Sequence, residues 1–173
     1  MRVYLVRHGE AEKIGGAISR DGDRRLTAVG EETSLLMGRA LARIDPAIGI
    51  ILTSPLVRAV QTGTLLRREL GERPVQRVSE YLAPGFRSKD LLAELFALPS
   101  AGSVVAVGHE PDVSRFLGYL IADASRVSVA MTNVAVAGVE LGGVPADYET
   151  ALLWFLTPQA VRALFSQRSG GSS

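Results

Sequence analysis

Short apolar runs alternate along the chain with longer segments of helical spacing. The first run is Val3, Tyr4, Leu5 and Val6. It is β-prone and too brief for a helix, so it predicts a buried strand at the N-terminus. Further strands are predicted over 48–53, 75–78 and 104–107, and two late ones over 134–141 and 152–156, separated by Gly142-Gly143 and a loop. Between the first two runs, Leu36, Met37, Ala40, Leu41 and Ile44 fall at i, i+1, i+4, i+5 and i+8, the stripe of a helix facing a core. Thr27 is placed to cap that helix, Glu31 and Glu32 favour its first turns, and Asp45-Pro46 ends it. Ser54-Pro55 reads as N-cap and first residue of a second helix, closed at Gly71. Ser88 is a candidate cap for a third helix, from about Asp90 to Leu98. Pro111 begins a fourth helix running through Ile121. Thr157-Pro158 begins the last, with Val161, Leu164 and Phe165 at apolar spacing. The stretches 11–25 and 80–87 read as loops. This order predicts an α/β protein, a three-layer α/β/α sandwich on a mostly parallel sheet. A single domain is expected over 1–168, with a flexible Gly/Ser tail over 169–173.

Composition narrows the chemistry. The chain has 173 residues, 47% hydrophobic and 21% charged, the profile of a soluble globular domain. Lys and Arg total 19 against 18 Asp and Glu, so no overall field selects nucleic acid or a membrane surface. Any taste for anions must come from arginines gathered locally. Cysteine is absent, which removes disulfides, thiolate catalysis and Cys-based zinc sites. The N-terminal apolar run is too short for a signal peptide, and no segment is long enough to span a bilayer, so a cytoplasmic protein is expected.

The first strand stops at Arg7-His8-Gly9. In an open α/β sheet, ligands bind at the C-terminal ends of the parallel strands. A guanidinium and an imidazole there, before a glycine that lets the chain turn, make an anion site holding a nucleophile or base. His109, the only other histidine, follows the apolar run V-V-A-V-G and is expected at the same sheet edge. A metal held by the two histidines is the competing idea, but it needs carboxylates whose positions the sequence leaves open. Arg58, within S-P-L-V-R-A-V-Q-T, lies at the start of a helix just past a strand, where free N–H groups already favour an anion. Read singly, each of these arginines is also compatible with a solvated surface charge.

Taken together, Arg7-His8-Gly9, the stretch around Arg58, R-R-L-T-A-V-G and V-G-H-E-P resemble the histidine phosphatase superfamily, whose signature is an R-H-G after the first strand. The short length makes the chain most similar to the SixA-type phosphohistidine phosphatases. The resemblance implies a phosphoglycerate mutase-like fold without a large cap. It also implies His8 as a nucleophile that becomes phosphorylated, with Arg7, Arg58 and His109 holding the phosphate. Arg24 matches an arginine that precedes the family's L-T-x-x-G, and Arg25 stands where proline is frequent. Glu80, just past the 75–78 strand, occupies the place where many members carry a proton-donating acid, although S-E-Y-L-A-P-G does not follow a mutase-type motif. The family needs no metal and no cofactor.

An equatorially charged phosphoryl group in transfer suits such a cluster of guanidinium groups. Only 22 residues separate Glu80 from the run that starts at Ser103, which leaves little room for a cap. A shallow site admits a phosphohistidine displayed on a partner protein, the preferred substrate and a link to signal transduction. A phosphatase of small phosphomonoesters and a non-catalytic phosphate-binding module are the alternatives. A P-loop ATPase is excluded, because G-x-x-x-x-G-K-[ST] does not occur.

Overall fold

Four of the apolar runs become parallel strands because a helix returns the chain across the sheet after each of the first three. A computed structural model describes residues 1–15, 18–98, 102–122, 129–144 and 147–166. Strand β1 (Arg2–Arg7) leads through α1 (Ala28–Ile44) to β2 (Ile48–Thr53). Helix α2 (Val57–Leu70) leads to β3 (Val75–Val78), and α3 (Ser88–Ala97) to β4 (Ser103–Gly108). Helix α4 (Asp112–Ile121) precedes β5 (Val136–Val144), β6 (Asp147–Leu156) and α5 (Pro158–Ser166). The sheet order is β3-β2-β4-β1-β5-β6. Strands β1 to β4 are mutually parallel, whereas β5 runs antiparallel to β1 and β6 antiparallel to β5. This is the α/β sandwich that the alternation predicts.

Each central strand is buried on both faces, which is why β1 and β4 read as continuous apolar runs rather than alternating ones. Val3 and Leu5 pack with Leu91, Leu95, Val113 and Phe116 beneath α3 and α4. Tyr4 and Val6 pack with Met37, Leu41, Ala59, Leu66 and Val161 beneath α1, α2 and α5. The period-two alternation thus supplies two cores from one strand.

Several local expectations hold and several do not. Thr27 caps α1, its Oγ1 accepting from the Gly30 N–H at 3.1 Å. Gly71, at φ 90°, closes α2. Ser54 does not cap α2, which starts at Val57 after Leu56. Its hydroxyl is wholly buried, lies 2.7 Å from His109 Nε2 and accepts from the Leu56 N–H at 3.3 Å, one residue before the helix. Ser88 lies inside α3, whose flanking residue Arg87 makes no side-chain cap bond. The late strands are longer than their apolar runs. Val144 pairs with Asp147 and Gly143 with Tyr148, so hairpin hydrogen bonds carry β5 straight through Gly142-Gly143. Leu164 is 65% exposed despite its helical spacing, because only one side of α5 meets the sheet layer. The tail over 169–173 lies outside the described residues.

Candidate active site

The parallel register sets the ends of β1, β2 and β4 level. Arg7 pairs with Gly108, and Thr53 with Val107. The ladder continues one residue past each strand, with the His8 N–H donating to the Gly108 carbonyl at 3.0 Å and the Ser54 N–H to the Val107 carbonyl at 2.9 Å. His8, Ser54 and His109 therefore emerge side by side. The two imidazoles stand with ring centroids 4.9 Å apart, tilted by 55°.

The turn after His8 is fixed by close packing onto α1. A Cβ on Gly9 would lie 3.0 Å from the Gly30 carbonyl oxygen, Leu26 Cδ2 and Ser34 Oγ, and one on Gly30 would collide with the Glu10 carbonyl. The Gly30 position therefore requires glycine and the Gly9 position leaves a side chain little room, which gives a physical reason for the glycines of L-T-A-V-G and R-H-G. The Thr27 N–H donates to the Glu10 carbonyl at 3.0 Å, and the Thr27 hydroxyl donates to Glu10 Oε1 at 2.9 Å. Thr62, on α2, ties the turn from the other side. Its Oγ1 accepts from the Gly9 N–H at 3.0 Å and donates to the Arg58 carbonyl at 2.7 Å.

These contacts orient the His8 ring. Its Nδ1 lies 2.6 Å from the Gly9 carbonyl, an acceptor only, so Nδ1 carries the proton and Nε2 the lone pair. Arg58 Nε donates to that Nε2 at 3.1 Å. Burial pushes the His8 pKa down to about 3, the charges of His109, Arg58 and Arg7 act the same way, and the Gly9 carbonyl opposes them. His109 is pushed down to about 4 by burial and then by Arg58, with Asp21 and Asp112 opposing. Both rings are therefore neutral at neutral pH, and His8 presents a lone pair rather than a proton.

Of the arginines, Arg58 is 4% exposed. Its Nη1 donates to the Asp21 carbonyl at 2.7 Å and its Nη2 to Asp21 Oδ2 at 2.8 Å. Arg7 donates from Nη1 to the Met131 carbonyl at 2.8 Å, while its buried Nε has no partner. Arg24 donates from Nε to the Glu12 carbonyl and from Nη1 to Asp21 Oδ1 at 2.9 Å. Arg7, His8, Asp21, Arg24, Arg58 and His109 line one cleft of about 510 Å³, together with Glu10, Lys13, Glu110 and Asn133.

The structure thus brings Arg7, His8, Arg24, Arg58 and His109 together and leaves Glu80 out. Glu80 opens a 3-10 turn, Glu80–Leu82, after the edge strand β3; it is exposed and is not among the residues that line the cleft. Strand β3 is separated from β4 by β2, so its end lies to one side of the histidines, and only Pro84 reaches the rim. Arg25 is exposed and is not part of the lining. Sequence reasoning missed Asp21, Glu10, Lys13, Glu110 and Asn133. Asp21 had a usable signal, its i,i+3 spacing from Arg24 in a charged loop. Glu110 had one too, adjacency to His109. Asn133 had none, since the segment before β5 carries no periodicity.

Comparisons with known proteins agree with this geometry. The model of the histidine phosphatase superfamily (branch 1) matches residues 3–83. An uncharacterized protein of Picosynechococcus is 39% identical over 120 residues, which is 67% of this chain and 70% of that protein. The structure of the protein histidine phosphatase SixA complexed with tungstate superposes with a TM-score of 0.80 at 28% identity, covering 92% of this chain and 98% of that one. The mycobacterial glucosyl-3-phosphoglycerate phosphatase shares the fold, with a TM-score of 0.68 at 18% identity over 88% of this chain and 97% of that one. With R-H-G at the end of β1, the second histidine one strand away and these matches over most of its length, the chain belongs to the histidine phosphatase superfamily and is SixA-like within it.

Proposed function

We propose that the protein is a phosphatase that removes phosphoryl groups from phosphohistidine on a partner protein, through a phosphohistidine intermediate on its own His8. One observation carries the reading above the others. His8 Nε2 is held as a neutral lone pair within a cleft that also gathers Arg7, Arg58 and His109. Nε2 attacks phosphorus in line, the bond to the departing imidazole nitrogen breaks, and that nitrogen keeps the electron pair. Water then attacks the phosphoryl group on His8, releasing inorganic phosphate and restoring the neutral ring. Arg7, Arg58 and His109 stabilise the oxygens in transfer, with Arg24 at the rim. Neither a metal nor a cofactor enters these steps. Among the described residues, no three His, Cys, Asp or Glu side chains are gathered to hold an ion.

The protein substrate is supported by the likeness to SixA and by the position of Glu80. Imidazole, whose conjugate acid has a pKa near ~6.5, leaves with little help from an acid, whereas an alkoxide needs a donor. A phosphatase of small phosphomonoesters is the second reading, and Glu110, a carboxylate in the cleft, is the observation that favours it. Timing a single turnover of phosphoryl transfer to His8 decides between them. With a phosphohistidine protein as donor, Glu80→Gln and Glu110→Gln should each leave the transfer rate nearly unchanged. Esters as the faster substrates, with either variant slowing both substrate types about a hundredfold, the scale of a general acid, would install the second reading.

A further inference from the structure

Arg58 is engaged by a neighbour that competes with a phosphoryl group for the same donors. Asp21 lies on the loop between β1 and α1, in a 3-10 turn, Asp21–Asp23. It takes Arg58 Nη2 with its carboxylate at 2.8 Å and Arg58 Nη1 with its carbonyl at 2.7 Å. Its other carboxylate oxygen accepts from Arg24 Nη1 at 2.9 Å. Both arginines and Asp21 line the cleft that holds His8. The Arg58 side chain is 5% exposed and that of Asp21 48%, so the cation is fixed and the anion sits on the solvent side, from which a ligand approaches.

Building on the cleft as a phosphoryl site, we propose that Asp21 is a specificity-determining residue: a built-in carboxylate that competes for Arg58 and Arg24 and so disfavours dianionic phosphoryl groups relative to monoanionic ones. The physical reason is the product of charges in Coulomb's law. A second negative charge on the ligand doubles its repulsion from Asp21. Its gain from the arginines is reduced, because Asp21 already cancels part of their charge. A phosphomonoester above its second ionisation carries both charges on its terminal oxygens. A phosphoramidate protonated on nitrogen has the same oxygens but one net charge. The carboxylate is reliably ionised, since its bonds to Arg24 and then to Arg58 hold its pKa below the usual value against the opposing effect of burial. The loop thus selects by the net charge of the phosphorylated group, including a proton on the leaving nitrogen.

The opposing account is that Asp21 merely aims Arg58. Two variants separate the accounts, because Asp21→Asn removes the charge and keeps a side-chain acceptor for Arg58 Nη2, while Asp21→Ala removes the charge and that acceptor and leaves only the backbone carbonyl on Nη1. Inorganic phosphate is titrated calorimetrically at pH 8 into the wild type and each variant. Specificity constants kcat/KM are then compared for phenyl phosphate and phosphoramidate. Both variants should bind phosphate about tenfold more tightly, the scale of a relieved like-charge contact, and the ester-to-phosphoramidate ratio should rise by a similar factor. Unchanged phosphate affinity and ratio in Asp21→Asn, with weaker binding in Asp21→Ala, would overturn the proposal and leave Asp21 as an aiming residue. Absence of phosphate binding in the wild type and both variants would instead remove the phosphoryl reading of the cleft, and this inference with it.

Discussion

The two ends of the central sheet each hold a buried polar cluster, and the clusters differ in how completely they are satisfied. At the end where the parallel strands begin, Tyr4 donates to Asp45 Oδ2 at 2.7 Å, Ser103 donates to the same oxygen, and the Ala47 N–H donates to Oδ1 at 2.8 Å. Burial pushes the Asp45 carboxyl up, but the donors Ser103, Tyr4 and Ala47 outweigh it and hold the pKa below its ordinary value. Burial and that same bond push Tyr4 up to about 12. This cluster is closed. At the other end, Arg7 Nε and His109 Nδ1 are buried without partners, and two neutral histidines face three arginines across a cleft. Unsatisfied buried polar groups cost stability, and three of the four among the described residues, Arg7 Nε, Thr53 Oγ1 and His109 Nδ1, lie at this end, the fourth being Thr150 Oγ1 on β6.

The sharpest test of that contrast removes His8, the proposed nucleophile. His8→Ala should lower turnover by on the order of 10⁴-fold or more, as loss of a nucleophile does elsewhere, with folding preserved. Rapid quenching of the wild type should trap an acid-labile phosphoryl group that the variant lacks. Next in size, Arg58→Ala and Arg7→Ala should each slow transfer by roughly 10²–10³-fold, the cost of one lost oxyanion donor, as read by single-turnover kinetics. Arg24→Ala should do less, and Arg25→Ala nothing measurable.

The closed cluster should behave in the opposite way. Asp45→Ala strands the Tyr4 and Ser103 hydroxyls and the Ala47 N–H, and should cost about 3 kcal/mol of stability in a denaturant melt, with kcat unchanged. Equal damage to activity would erase the distinction between the two ends.

The last test is in acid. His8 and His109 fold with pKa values of about 3 and 4, below the ordinary 6.5, so the unfolded chain binds more protons than the native one throughout that interval. Their contribution to stability is present above 6.5 and is lost progressively as pH falls, through about 4 for His109 and about 3 for His8. Asp45, depressed from 3.8, adds its own loss only below that value. Unfolding midpoints measured from pH 7 to 4 should therefore fall in the wild type and flatten in a His8→Asn/His109→Gln double variant. Asp45→Asn should leave that slope unchanged.

The sequence by itself determined much of this protein. Strands over 3–6, 48–53 and 104–107 were legible because parallel strands buried on both faces must be apolar throughout, a reason that does not extend to the exposed edge strand over 75–78. The Thr27 cap and the Gly71 stop were legible because helix ends have local chemistry. Arg7, His8, Arg58 and His109 could be gathered in advance, since each lies at the C-terminal end of a strand or the start of the next helix, and β1, β2 and β4 turn out to be neighbours. Only the tertiary structure decided the rest. Ser54 meets His109 across β2 and β4, a contact between residues 55 apart. Glu80 follows the edge strand and is not part of the cleft lining, and strand order is not a local property. The carboxylate of Asp21 reached Arg58 because a loop of mixed charges folded over the strand ends. Local propensity fixes where elements start and stop, but the partners of a buried charge are chosen by packing between segments distant in sequence.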